Sequence, residues 1–228
     1  SLVPYVPGKS VGELAEEQGL TDIIKLASNE NPLGCSPLVV RALAALSPHQ
    51  LATYPIPAHH PLRNKLAKKL AIDAEMLTLT NGSEALIPLL QICFALHSDK
   101  HILIPKHSFI AYGIQAKMLG IPVISTPLLP NWQADIDALI ASCNEQTALI
   151  FLANPNNPTG ALIGQADIER LLQNIPISTI LCLDEAYYEF SNTTISKLIL
   201  NTSNLIITRT FSKAFGLASF RIGYMLSC

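Results

Sequence analysis

Residues 148–160 read ALIFLANPNNPTG. Six apolar or small residues, 148–153, carry no charge and show no alternation, the pattern of a strand buried on both faces. The run ends at Asn154, and a loop follows with three asparagines, Pro155, Pro158 and Gly160. Two prolines and a glycine stiffen that loop, and its amides make it a candidate binding element. The same grammar recurs along the chain. Apolar, β-rich runs predict strands at 76–80, 101–105, 123–126, 179–184, 205–210 and 221–226. Helical patterns fall at 38–45, 61–70, 84–96, 110–119, 136–141 and 166–172. Alternation of this kind gives an α/β fold, a mostly parallel seven-stranded sheet with helices on both faces. Residues 1–35 are rich in Pro, Gly and Asn and read as an arm with one short helix at 11–18; residues 36–228 form the main domain.

Composition narrows the functional classes. Of the 228 residues, 49% are hydrophobic and only 14% charged, which excludes intrinsic disorder. The net charge is −2 and no basic stripe appears, so nucleic acid is not the expected partner. The longest apolar stretch, 85–96, is broken by Pro88 and Gln91 and falls short of the roughly 20 residues a membrane span needs. No secretory pattern opens the sequence. Five cysteines, with no CxxC spacing, indicate neither a disulfide framework nor a metal site, and the expected compartment is reducing and cytoplasmic. Cys93 and Cys182 lie in apolar runs and are expected in the core. The high apolar fraction predicts a further buried surface, either a dimer interface or a contact with a missing segment. No glycine-rich nucleotide motif follows any predicted strand.

In such sheets ligands bind beyond the carboxyl ends of the strands. After 76–80 comes Asn81-Gly82-Ser83-Glu84, a tight turn whose Ser83 is suited to cap a helix and leave N–H groups for a phosphate. Pro88, a turn inside that helix, is expected to bend it slightly. Phe109 follows 101–105 and offers a stacking face. His107 reads as a solvated loop residue. Asp184 closes an apolar run and needs a cationic or hydrogen-bonding partner, which an arginine could also supply. After 205–210 come Ser212 and Lys213, and Arg221 lies eight residues further on. Lys and Arg flanking hydroxyls make a phosphate site, and a desolvated lysine has a lowered pKa and forms imines. Phosphate cradle, stacking ring, amide loop, carboxylate and lysine together match one ligand, pyridoxal 5'-phosphate.

The motifs N-G-S-E, S-F-x-x-Y, N-P-N-N-P-T-G, D-E-A-Y, T-F-S-K-A-F-G and R-I-G, in that order, resemble the fold-type-I pyridoxal-phosphate aminotransferases. The opening P-Y-V-P-G-K, then I-I-K-L-A-S-N-E-N-P-L-G and T-Y-P, is similar to the histidinol-phosphate aminotransferase branch. The resemblance implies that Lys213 carries the cofactor and moves the proton, and that Asp184 pairs with the ring nitrogen. It implies that Asn157 and Tyr187 bond the phenolic oxygen and that Phe109 stacks on the ring. Ser83, Glu84 through its N–H, Thr210, Ser212 and Arg221 are then expected at the phosphate. Tyr54 is expected to reach the phosphate of the other subunit in a homodimer. Tyr5 and Asn31, with Asn157, are expected near substrate.

The implied reaction interconverts histidinol phosphate and imidazole acetol phosphate with 2-oxoglutarate or glutamate, in histidine biosynthesis. The related alternatives are an aromatic or other amino-acid aminotransferase, a phosphothreonine decarboxylase, or a truncated paralogue without turnover. The family pattern continues past R-I-G-Y, so the resemblance implies that 36–228 is an incomplete large domain. It also implies that a small C-terminal domain, expected to pack with the arm, is absent from this chain.

Overall fold

The computed structural model describes residues 9–54, 60–191 and 195–228. Seven strands form one sheet: β1 (Leu77–Thr80), β2 (His101–Pro105), β3 (Val123–Thr126), β4 (Thr147–Ala153), β5 (Ile180–Asp184), β6 (Leu205–Thr210) and β7 (Gly223–Ser227). Their order is β1-β7-β6-β5-β4-β2-β3. Four neighbouring pairs are parallel, and β7 runs antiparallel to both β1 and β6. The expected α/β architecture is therefore present, and each strand lies within one or two residues of its sequence-derived bounds.

The helices are α1 (Val11–Gln18), α2 (Pro37–Ala44), α3 (Pro48–Ala52), α4 (Pro61–Leu70), α5 (Leu86–Phe94), α6 (Ala111–Met118), α7 (Ile136–Ser142) and α8 (Gln165–Asn174). Local chemistry accounts for their starts. Ser10 and Glu13 form a reciprocal capping box on α1, and Asp135 caps α7 through the Ala138 N–H. The periodic pattern missed α3, which is only five residues long and is set by Ser47, Pro48 and Gln50. Helices α5 and α6 cover one face of the sheet, and α4, α7 and α8 the other. Strand β4 is buried along its whole length, as its unbroken apolar run requires.

Three expectations need correction. Cys182 is buried, but Cys93 is exposed. The inward stripe of α5 is Leu86, Ile87, Leu90 and Gln91, and Cys93 falls off it beside Leu89 and Ile92. Ser83 caps nothing: a single 3₁₀ turn, Ser83–Ala85, precedes α5 and has no side-chain cap. Pro88 thus lies in the first turn of α5, where helix N–H groups lack intrahelical partners, and the reason to expect a bend disappears.

The end of the arm lies over the loop that follows β6. Asn31 Nδ2 donates to the Ala214 carbonyl at 3.0 Å. Gly216 adopts φ +65°, and a Cβ there would sit 2.2 Å from the Gly34 carbonyl oxygen. Only glycine meets both demands. Ile24, Leu26, Leu33, Leu51 and Tyr54 are each 71% exposed or more. Among the described residues, no helix is long and apolar enough to cross a membrane.

A buried ion pair ties β5 to β6. Arg209 Nε and Nη2 donate to Glu185 Oε2 at 2.8 and 2.6 Å, and the guanidinium lies 3.8 Å over the Tyr188 ring. Both side chains are 1–2% exposed. Removing one partner strands the other charge. Arg209→Ala should lower the unfolding free energy by about 3–5 kcal/mol in a denaturant titration, and Arg209→Met with Glu185→Leu should cost much less.

Candidate functional site

The carboxyl ends of β1, β4, β5 and β6 open into one cavity of about 640 Å³. Among the residues lining it are Ser83, Glu84, Phe109, Asn157, Asp184, Tyr187, Thr210, Ser212, Lys213 and Arg221. Ten positions singled out from the sequence are thus brought together. Asn31 lines an adjoining cavity of about 490 Å³ that shares Asn157, Tyr187 and Lys213 with the first. Tyr54 is 95% exposed and lines neither. Tyr5 lies outside the described residues.

One corner of the cavity is rich in hydroxyls and N–H groups. Thr210 Oγ1 donates to Ser212 Oγ at 3.0 Å, and Arg221 Nη1 donates to the same hydroxyl at 3.3 Å. Gly82, at φ +80°, turns the chain so that the Ser83 backbone passes close to β7. A Cβ on Gly223 would lie 2.4 Å from the Ser83 nitrogen. With no capping side chain at this turn, its N–H groups stay available beside Arg221, and an anion fits there.

The asparagine loop divides its labour. Asn154 is buried and bonds the Ile163 backbone in both directions, at 3.0 and 2.8 Å. Asn156 Nδ2 donates to the His107 carbonyl and the Thr159 hydroxyl. These two hold the loop in shape; Asn157 lines both cavities, and Asn156 reaches only the second. Both peptide bonds preceding the prolines are cis. His107 is exposed, as expected, with its ring edge-on to Trp132.

Asp184 ends β5 with only 8% exposure. Its partners include the Tyr112 hydroxyl at 2.7 Å, the Ala186 N–H at 3.1 Å and the Thr208 hydroxyl; the arginine that a buried carboxylate invites goes to Glu185 instead. Burial pushes the Asp184 carboxyl above its ordinary range, against the hydrogen bonds and the nearby Lys213 charge. A cation arriving in the cavity would relieve that cost.

Lys213 is half-buried, and its Nζ donates to the Ser28 carbonyl at 2.7 Å. Burial and then the Arg221 charge lower its pKa, while Glu30, Glu84 and Asp184 act the other way. Tyr187, whose ring centre is 5.7 Å from Nζ, accepts from Asn29 Nδ2 at 3.0 Å. Sequence reading assigned nothing to Ser28, Asn29, Glu185, Arg209 or Tyr112. A charged Arg209 inside the apolar run 205–210 was the available signal for the ion pair.

Comparisons with known proteins bear on the family and the fold. Residues 21–228 match the family model described as aminotransferase class I and II. A protein of Legionella pneumophila (strain Paris), named histidinol-phosphate aminotransferase 2, is 54% identical over all of this chain and 63% of its own length. A histidinol-phosphate aminotransferase of Symbiobacterium thermophilum is 40% identical over 98% of this chain and 62% of its own. The solved histidinol-phosphate aminotransferase of Sinorhizobium meliloti, in complex with pyridoxal-5'-phosphate, superposes with TM-score 0.85 at 26% identity. It covers 96% of this chain and 60% of that one. The chain spans about 63% of the length of the curated Legionella relative. The chain belongs to the class I and II aminotransferases.

Two outcomes test the geometry. Gly223→Ala displaces the Gly82–Ser83 backbone and should weaken binding of inorganic phosphate, read by calorimetry, by about tenfold, the worth of one hydrogen bond to a charged ligand. Lys213 in the cofactor-free chain should react with trinitrobenzenesulfonate with a midpoint below that of an ordinary lysine. Glu30→Gln removes a charge that raises the Lys213 pKa, so the midpoint should move further down.

Proposed function

We propose that this chain forms the cofactor-holding part of a pyridoxal-phosphate aminotransferase acting on histidinol phosphate, with 2-oxoglutarate or glutamate as the second partner. One observation carries the reading: a lysine of lowered pKa, a buried carboxylate, an amide and a hydroxyl-arginine corner line one cavity. The substrate rests on the printed names of the relatives at 54% and 40% identity.

The residues present fit the cofactor. Asp184, raised by burial and lacking an arginine partner, suits a protonated ring nitrogen. Ser83, Glu84 through its N–H, Thr210, Ser212 and Arg221 would hold the phosphate. Asn157 and Tyr187 would bond the phenolic oxygen, and Phe109 would cover the ring face. When bound, pyridoxal 5'-phosphate supplies an aldehyde for amine exchange and a ring that accepts the electron pair of a breaking Cα–H bond.

The chain's own groups do the proton work. Lys213 Nζ, neutral at lower pH than a solvated lysine, takes the proton from the substrate Cα and delivers it back on the opposite course of the reaction. Asp184 stays ionised beside a cation and keeps the ring nitrogen protonated. Tyr187, whose phenol is pushed up by burial, remains a hydrogen-bond donor. Asn31 and Asn157, which line the adjoining cavity, would meet substrate, and Tyr5 is proposed to join them.

The arm, 1–35, and the large domain, 36–228, are proposed as distinct units. The exposed apolar side chains of the arm, and Tyr54 beyond it, are proposed to meet a second copy in a cytoplasmic homodimer. Tyr54 would reach the phosphate of that second copy.

Lys213→Ala should abolish transamination of histidinol phosphate, measured by glutamate formation. It should also end borohydride-dependent labelling of the 205–216 peptide by pyridoxal phosphate. Labelling that persists at the same peptide would overturn the assignment of the lysine.

A further inference from the structure

Tyr112 is a titratable side chain with no place in the mechanism above. It is fully buried, on the first turn of α6. Three contacts fix its ring and backbone. The ring stacks on Phe151 of β4 with centroids 4.9 Å apart. Phe109 lies perpendicular to it, with ring centroids 5.6 Å apart. Gln91, also fully buried, donates Nε2 to the Tyr112 carbonyl at 3.0 Å and so locks α5 to α6 at this level. The hydroxyl that this packing aims donates to Asp184 Oδ2 at 2.7 Å.

We propose that Tyr112 is a positioning residue whose buried hydroxyl holds one oxygen of Asp184 and keeps that carboxylate charged and aimed at the ligand in the cavity. Its use in catalysis rests on the reading of the site as a pyridoxal-phosphate site.

The two Asp184 oxygens have different donors. Oδ2 takes the phenol, and Oδ1 takes the Ala186 N–H. An acceptor held on both oxygens cannot swing within its buried niche. Burial and the Asp184 charge hold the Tyr112 phenol far above its ordinary range, so it stays a donor. A hydrogen bond to the charged form favours that form, and burial opposes it. Of the other groups around Asp184, the Thr208 hydroxyl is a second and weaker side-chain donor, and the rest give it no hydrogen bond from a side chain. Cys182 and Tyr187 are kept neutral, both with pKa values raised by burial. Glu185 is neutralised by Arg209. The Thr208 hydroxyl also donates to Asp184, and Lys213 contributes a nearby charge rather than a hydrogen bond. Phe109 thus has a second task. It covers the cavity and also presses on the residue that aims the carboxylate.

The test is a carboxyl titration by ¹³C NMR on the full cofactor-free chain labelled at aspartate, with Asp184→Asn identifying the resonance. Tyr112→Phe keeps the ring stack and removes only the donor. The Asp184 midpoint should rise by about one pH unit, the size of a hydrogen bond to a charged group. Replacing Tyr112 by 3-fluorotyrosine, a more acidic phenol of nearly the same size, should move it down. A midpoint that stays put in both variants overturns the proposal. If the phenylalanine variant does not fold, the fluorotyrosine variant decides alone, since a merely structural tyrosine would not shift the carboxyl downward. Borohydride labelling of wild-type Lys213 by pyridoxal phosphate runs beside it. Failure there would sink the cofactor reading while leaving the titration to judge Tyr112 by itself.

Discussion

A charged carboxylate at the end of a strand buried on both faces is the constraint around which this site is arranged. Asp184 and Glu185 are consecutive, so they point to opposite faces of the sheet. Cys182 packs with α5 and α6, and Leu181 and Leu183 pack with α4, α7 and α8. Asp184 follows the first face and meets Tyr112; Glu185 follows the second and meets Arg209. Strand β6 mirrors the pattern, with Thr208 opposite Asp184 and Arg209 turned to the far face. A one-residue slip of β5 would put the ion pair in the cavity and the free carboxylate in the core. The buried ion pair therefore works as a register lock: its own net stabilisation is small after desolvation, but mismatching it is costly.

The same alternation explains why the two ends of the cavity differ in character. Thr210 continues the Thr208 face into the cavity and joins Ser212 and Arg221. The anion corner is therefore at β6 and β7, and the cation-seeking carboxylate is one strand away on β5. Antiparallel β7 makes this possible, because it enters the sheet at the same edge where β6 leaves it. Its first residue, Gly223, gives the Ser83 turn room to approach. A long polar ligand with a phosphate at one end and a basic nitrogen at the other is complementary to that layout.

Most of the scaffold was legible because buried parallel strands are written as unbroken apolar runs, and 148–153 and 179–184 are clear examples. The residues after each strand were legible for a different reason: charged and amide groups at the ends of such runs are costly without a purpose. What stayed hidden was pairing across the fold. Nothing in a single sequence says that Arg209 prefers Glu185 to Asp184, since both carboxylates are adjacent in the chain. Nor does spacing reveal that the tyrosine of S-F-x-x-Y reaches residue 184, 72 positions away. Cys93 was misplaced because an apolar run longer than the inward stripe of a helix must put some residues outside. Ser83 was misread because the turn before α5 is 3₁₀, with Gly82 rather than a side chain at its start.

The arm adds a last constraint on the lysine. Ser28 and Asn29 both adopt positive φ, a conformation that costs non-glycine residues about 1 kcal/mol or more each. That cost is offset locally, because the strained turn presents the Ser28 carbonyl to Lys213 and the Asn29 amide to Tyr187. Both partners are groups that the proposed chemistry needs at the cavity. Gly216 and Gly34 bring the backbones together just beyond, and Asn31 fastens the arm to Ala214. The arm therefore serves as a wall of the site and holds the lysine through the Ser28 carbonyl. Burial and Arg221 lower the lysine's pKa while Glu30, Glu84 and Asp184 raise it, so groups of the arm and of the sheet act on it together. That balance depends on residues 180 or more positions apart in sequence being fixed against one another, which is why the packing of residues 27–35 on the loop after β6 matters as much as the sheet beneath it.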